Sequence, residues 1–172
     1  MSKTIIESGM SFGPYSVDDC FELEKSAIYQ RIQKQVMMAE FALIRQKEGQ
    51  PRVIWLVEAK SSSPRPETQP GFDAFIDEIR QKLSNALHLV LSAKLNRHRE
   101  SVTDLPNGFK SLTLQEDFKL VLVINNHRSE WLPPLQDALN SVLRTLVSTL
   151  GLRPNSVAVI NDVMARSYGL IS

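Results

Sequence analysis

Two apolar stretches of this chain alternate as strands do. They are MAEFALIR within about residues 38 to 46 and VIWLVEAK within about residues 52 to 60, joined by the polar Gly/Pro segment QKEGQP. The pattern predicts an antiparallel hairpin turning at Gly49. Glu40 and Glu58 stand nine residues on either side of Gly49, so this register sets them opposite each other at the open end, where opposed Cβ atoms lie about 4.5–5.5 Å apart. Alternation then gives one face Glu40, Ala42, Ile44, Ile54, Leu56, Glu58 and Lys60, and the other Phe41, Leu43, Val53, Trp55, Val57 and Ala59. Both faces are apolar, the pattern of a hairpin inside a covered sheet. A slip of one residue would send the two acids to opposite faces.

Beyond the hairpin, SSSPRPETQPG reads as an irregular loop, and the period changes. Phe72, Phe75, Ile76, Ile79, Leu83, Ala86, Leu87, Val90 and Leu91 form a stripe that predicts a helix from Phe72 to about Arg97. SVTDLPNG predicts a loop, and KLVLVINN a strand covered on both faces. The cleanest helix runs through Leu135, Leu139, Val142, Leu146 and Leu150, with Pro133 and Pro134 near its start and Gly151 as its stop. SVAVI predicts a last strand, and NDVMARSYG a short helix capped by Asn161 or Asp162. Residues 1–35 carry the weakest pattern: helix is expected from about Ala27 onward, with CFELE open to a short strand or a longer helix. Strand, helix, strand succession after a hairpin favours parallel crossovers. The expected class is therefore α/β, a single domain with a mixed central sheet, an antiparallel hairpin and helices on both faces.

Composition narrows the function classes. At 172 residues and 42% hydrophobic content the chain is expected to form one domain with a substantial core. MSKTIIESGM lacks the apolar segment of a secretory leader, and runs such as LVLVI are too short to cross a bilayer, so a cytoplasmic protein is expected. Cys20 is alone, and no CxxC or HxxxH spacing points to structural zinc. His88, His98 and His127 are scattered and are expected to be structural or exposed. A net charge of +1 argues against a uniformly basic protein that coats nucleic acid, while allowing a local charged groove. The basic cluster Lys94 to Arg99 falls at a helix C-terminus, where cations complement the dipole.

The chemistry concentrates in Glu58-Ala59-Lys60, where a carboxylate and an ammonium share one strand face. Two opposed carboxylates repel unless a proton or a cation intervenes, and magnesium accepts one or two carboxylates together with water and substrate phosphates. This arrangement resembles the PD-(D/E)xK nuclease superfamily, with its restriction-endonuclease-like core, over roughly residues 20 to 125. The first acid here is Glu, without a preceding Pro. The resemblance implies that Glu40 and Glu58 bind Mg2+, with Mn2+ as a substitute, and that Lys60 orients or activates the attacking water. It implies a further acid before the hairpin, Glu24 in preference to Glu22, and a polar residue on the following helix, Gln81 or Lys82; by their charge, Arg65, Arg80 and Lys82 are candidates to contact substrate phosphates beside the site. The implied substrate is nucleic acid, DNA rather than RNA, in host defence or DNA repair, acting as a homodimer or in a larger complex. The alternative is a catalytically inactive nuclease-like module that serves as a binding or regulatory partner. A second tripeptide of the same type, Asp117-Phe118-Lys119, opens its strand instead of ending it and has no hairpin acid opposite, so a structural or solvated role is expected there.

Overall fold

The predicted hairpin forms in the predicted register. The computed structural model describes residues Met1 to Ser172, and in it β4 (Phe41–Arg45) and β5 (Val53–Lys60), numbered in chain order, pair antiparallel from Phe41 with Val57 to Arg45 with Val53. The connecting turn closes through the Gln50 N–H donating to the Lys47 carbonyl at 3.0 Å. Gly49 occupies its third position with φ +72°, a conformation that glycine adopts without the steric penalty of a Cβ.

Three further strands complete a five-stranded mixed sheet in the order β3 (Cys20–Glu22), β4, β5, β6 (Asp117–Ile124), β7 (Val157–Asn161). The β3–β4 and β4–β5 pairs are antiparallel, whereas β5–β6 and β6–β7 are parallel. The parallel steps are bridged by α2 (Gly71–Lys94) and α5 (Leu132–Thr149). Both crossovers step the same way across the sheet, so one crossover hand puts both helices on one face. There they bury Ala42, Ile44, Ile54 and Leu56 against Ile79, Leu83, Leu139 and Leu143.

Because both long helices lie on that face, the reverse needs a different cover. It comes from a two-stranded hairpin, β1 (Ser2–Glu7) with β2 (Met10–Ser16), and from the short terminal α6 (Asp162–Ser167). Helices on both faces therefore hold only in that α6 covers a corner, and the hairpin does most of the work. Phe12 meets Phe41 edge to face with ring centroids 5.4 Å apart, and both join Val57, Ala59, Val121, Val123 and Ile160 in a second core. The β1–β2 turn places Ser8 and Gly9 at φ 49° and 76°, the positive pair of a two-residue hairpin loop.

Local chemistry explains the remaining elements. A short strand followed by α1 (Ala27–Ile32) replaces the single long helix that CFELE also permitted, and Ser26 caps α1 by accepting from the Tyr29 N–H. Asn161 caps α6 by accepting from the Met164 N–H at 2.9 Å. The segment expected as a loop holds two single turns, α3 (Ser101–Asp104) and α4 (Asn107–Lys110). The Asp104 carboxylate accepts from the Ile28 N–H at 2.7 Å and ties α1 to α3. Cys20 is buried, and that burial pushes its thiol up to about 12. No helix is long and apolar enough to cross a membrane.

Candidate functional site

The carboxyl ends of the parallel pair β5 and β6 carry the chemistry, since Lys60 pairs with Ile124 and the Asn125 N–H donates to the Lys60 carbonyl at 2.9 Å. Loops leaving the carboxyl edge of parallel strands are a frequent place for ligands in α/β sheets. Glu58 lies there with 0% of its surface exposed, on the face covered by α2. Its Oε1 accepts from Lys82 Nζ at 2.9 Å and lies 3.6 Å from Lys60 Nζ, while its Oε2 is buried with no partner. Lys60 Nζ donates in turn to Glu78 Oε1 at 2.6 Å. Glu78 and Lys82 stand four residues apart on α2, on the strip that faces these strand ends.

Burial pushes the Glu58 carboxyl up despite the opposing pull of Lys82 and Lys60, and Glu24 adds to the rise. Burial pulls the Lys82 ammonium down, but Glu58, Glu40 and Glu24 outweigh it and hold the group above its usual range. Glu40 is pushed up to about 8, first by burial and then by the carboxylates of Glu58, Glu24 and Glu7. Glu40, Glu58 and Glu24 therefore share one electrostatic environment. The pairing itself slips at this point: the Glu40 N–H donates to the Val57 carbonyl at 3.0 Å, and the ladder's last pair is Phe41 with Val57. Glu40 thus sits at a bulge-like end of β4 instead of squarely opposite Glu58, because the chain turns there from the sheet toward α1. No three His, Cys, Asp or Glu side chains are gathered closely enough to hold a metal ion.

The other candidates separate. Glu24 lies in the turn between β3 and α1, not on a helix. Glu22 is engaged by Lys3 at 3.3 Å and Lys25 at 2.5 Å. Gln81 donates to Asp77 Oδ2 at 2.6 Å and Arg80 pairs with the same Asp77, which directs both away from the strip holding Lys82. Arg65 is exposed and stacks over Trp131, with Cζ 4.7 Å from the ring centroid. Arg128 stacks on the same ring at 4.9 Å, and His127 meets it edge-on at 5.4 Å. Trp131 thereby joins the two loops that leave the Lys60 and Ile124 ends.

Sequence reasoning missed Glu78, Trp131 and Glu7, and it left His127 as structural or exposed. The i, i+4 spacing of Glu78 and Lys82 beside an apolar stripe was the available signal for the first; the others are brought in by tertiary folding alone. Three buried side-chain polar atoms lack partners, Glu58 Oε2, Ser63 Oγ and His127 Nε2, and all belong to the ends of β5 and β6 or the loops that follow. An unsatisfied buried polar group costs about 1–3 kcal/mol, so three at one edge mark where a polar ligand would be stabilising. No protein-family model, curated protein or solved structure matches this chain.

Two outcomes follow from this geometry. Between the unfolded value near 4.5 and the folded value near 8, folded Glu40 holds a proton that the unfolded chain releases, so the metal-free protein loses stability as pH rises through that window. Glu40→Gln should flatten this part of the profile, by at most about 2 kcal/mol at pH 9 once partial solvent screening is allowed for; urea melts from pH 5 to 9 check it. Asp117 pairs with Arg153 at 2.5 Å, and Lys119 lies over Trp55 at the far end of the sheet. Lys119→Ala should therefore leave metal-dependent hydrolysis of an oligonucleotide within a few-fold of the parent, and a loss as large as that in Lys60→Ala would contradict the assignment.

Proposed function

We propose that this chain is a divalent-metal-dependent phosphodiesterase acting on nucleic acid, DNA before RNA, at the Glu58 end of the sheet. The observation that supports it most is the wholly buried Glu58 with one oxygen unpartnered, on the same strand face as Lys60. Glu58 Oε2 and the Glu40 carboxyl would supply two hard oxygen donors to Mg2+ or Mn2+, with water and substrate phosphate completing its shell. When bound, the ion supplies Lewis-acid polarisation of the phosphoryl group and acidification of water.

The side chains divide the remaining work. Lys82 holds Glu58 Oε1 and so leaves Oε2 as the free donor. Lys60, steadied by Glu78, presents N–H groups that can hold the attacking water in line and stabilise developing charge. Glu40 would release its proton as the ion enters, because the carboxylate is the ligating form. Arg65 and Arg128, both on Trp131, can take the phosphates of a strand passing this edge.

A second reading, an inactive module that binds a partner, draws on a specific observation as well: two lysines already occupy Glu58 Oε1, and no three ligands are gathered. Incubation with single-stranded, double-stranded and branched DNA and RNA separates the two readings. Cleavage in Mg2+ or Mn2+ that stops in EDTA is expected, and intact substrates in every condition would favour the inactive module.

A further inference from the structure

A concavity of about 930 Å³ lies away from the carboxylates, on the opposite face and at the opposite end of the sheet. The β1–β2 hairpin and α6 cover only the part of that face around Phe41 and Val57, so the part around Trp55 stays open between Tyr15 on one side and Tyr168 on the other. Leu43 and Lys119 flank Trp55 on the neighbouring strands. The trough is electropositive. Arg45, Lys47, Arg52 and Lys119 line it against a single acid, Asp19, and only Arg52 has a carboxylate partner, Glu116 at 2.9 Å.

Lys119 and Arg45 are the informative pair. Both are half-buried on Trp55, with Lys119 Nζ 5.4 Å and Arg45 Cζ 4.7 Å from its ring centroid. Lys119 Nζ has no hydrogen-bond acceptor, and Arg45 donates only to the Tyr168 carbonyl. A cation–π contact returns about 0.5–2 kcal/mol, less than a charge-assisted hydrogen bond and ion pair would provide for the same desolvated cation. Two cations held on one indole without counter-charge, and Lys47 at the rim, match a dianion. Tyr168, 47% exposed, presents a ring on which a planar group can stack.

We propose that this trough is a second ligand site, which binds the phosphate of a small phosphorylated ligand with a planar ring, of the nucleoside monophosphate kind, between Arg45 and Lys119. It stands on these residues alone and does not depend on the chemistry at Glu58.

The chain has two tryptophans, so Trp131→Phe leaves Trp55 as the sole indole reporter. In that background, titration with inorganic phosphate, adenosine monophosphate, adenosine and a 5′-phosphorylated oligonucleotide should give a saturable change in Trp55 emission with the phosphorylated probes and none with adenosine. Equilibrium dialysis with labelled adenosine monophosphate reads binding independently of emission. Lys119→Gln and Arg45→Gln should each weaken binding by about tenfold or more, whereas Lys60→Ala should not change it. Tighter binding of the mononucleotide than of the oligonucleotide identifies a free ligand, and the reverse order identifies a strand terminus; either supports the phosphate site. It is overturned if no probe binds, if adenosine binds as tightly as its monophosphate, or if both folded Gln variants bind like the parent.

Discussion

Lys60→Ala should lower metal-dependent hydrolysis by about 10²-fold or more while divalent-metal binding persists, the scale associated with removing a positioned electrostatic or proton-transfer group. The geometry accounts for the separation of the two effects. Lys60 Nζ lies 3.6 Å from Glu58 Oε1, on the occupied side of that carboxylate, and its close partner is Glu78 at 2.6 Å. Removing the ammonium therefore takes away a donor beside the Glu58 carboxylate without touching the unpartnered Glu58 Oε2. Its fold should survive, because a partly exposed pair such as Lys60 with Glu78 contributes only about 0–1 kcal/mol. Rates with a labelled oligonucleotide, beside melting curves of both proteins with and without Mn2+, read out each part. An unchanged rate would remove Lys60 from the chemistry.

Glu58→Gln should have the opposite profile on stability and a comparably large effect on activity. Burial raises the Glu58 carboxyl even though Lys82 and Lys60 oppose it, which means that the charged form is disfavoured inside the fold. An amide of the same size can still accept from Lys82 and avoids that cost. The metal-free variant should therefore melt at the same temperature or slightly higher, by no more than about 1 kcal/mol, or 2–4 °C for a domain of this size. Loss of the ligand charge should reduce affinity for Mn2+ beyond the about 10–100-fold typical of groups that only support a ligand, and hydrolysis should fall with it. A variant that melts well below the parent yet still responds to Mn2+ would show Glu58 to be structural.

Much of this site was legible in the sequence because strand periodicity is rigid. With Gly49 at the turn, the faces of Ala42, Ile44, Ile54 and Leu56 follow, and the structure sorts them into the α2 core as expected. The continuous stripe of α2, the Asn161 cap and the Gly151 stop, at φ 62°, were equally local signals. The β1–β2 hairpin was not legible. Only Ile5 of β1 is buried, and the register shifts between Lys3 and Ile5, so no clean alternation exists to read, and Ser8-Gly9 stood without flanking periodicity. The slip at Glu40 lay beyond reach for a related reason: it depends on where the chain leaves the sheet for α1, not on the pattern within β4. The Trp55 trough is the extreme case, because its cations come from β4, the hairpin turn and β6, and nothing in their local sequence announces that they meet.

Everything proposed for the carboxylate edge rests on its holding a divalent cation. The most direct measurement is isothermal titration of Mn2+ into the wild-type protein at pH 7 in two buffers of different ionisation enthalpy. One site per chain is expected, with a buffer-dependent heat that reports release of the proton Glu40 carries below about 8, and with no saturable heat in Glu58→Gln. A flat wild-type titration, or an identical one in Glu58→Gln, would contradict the account.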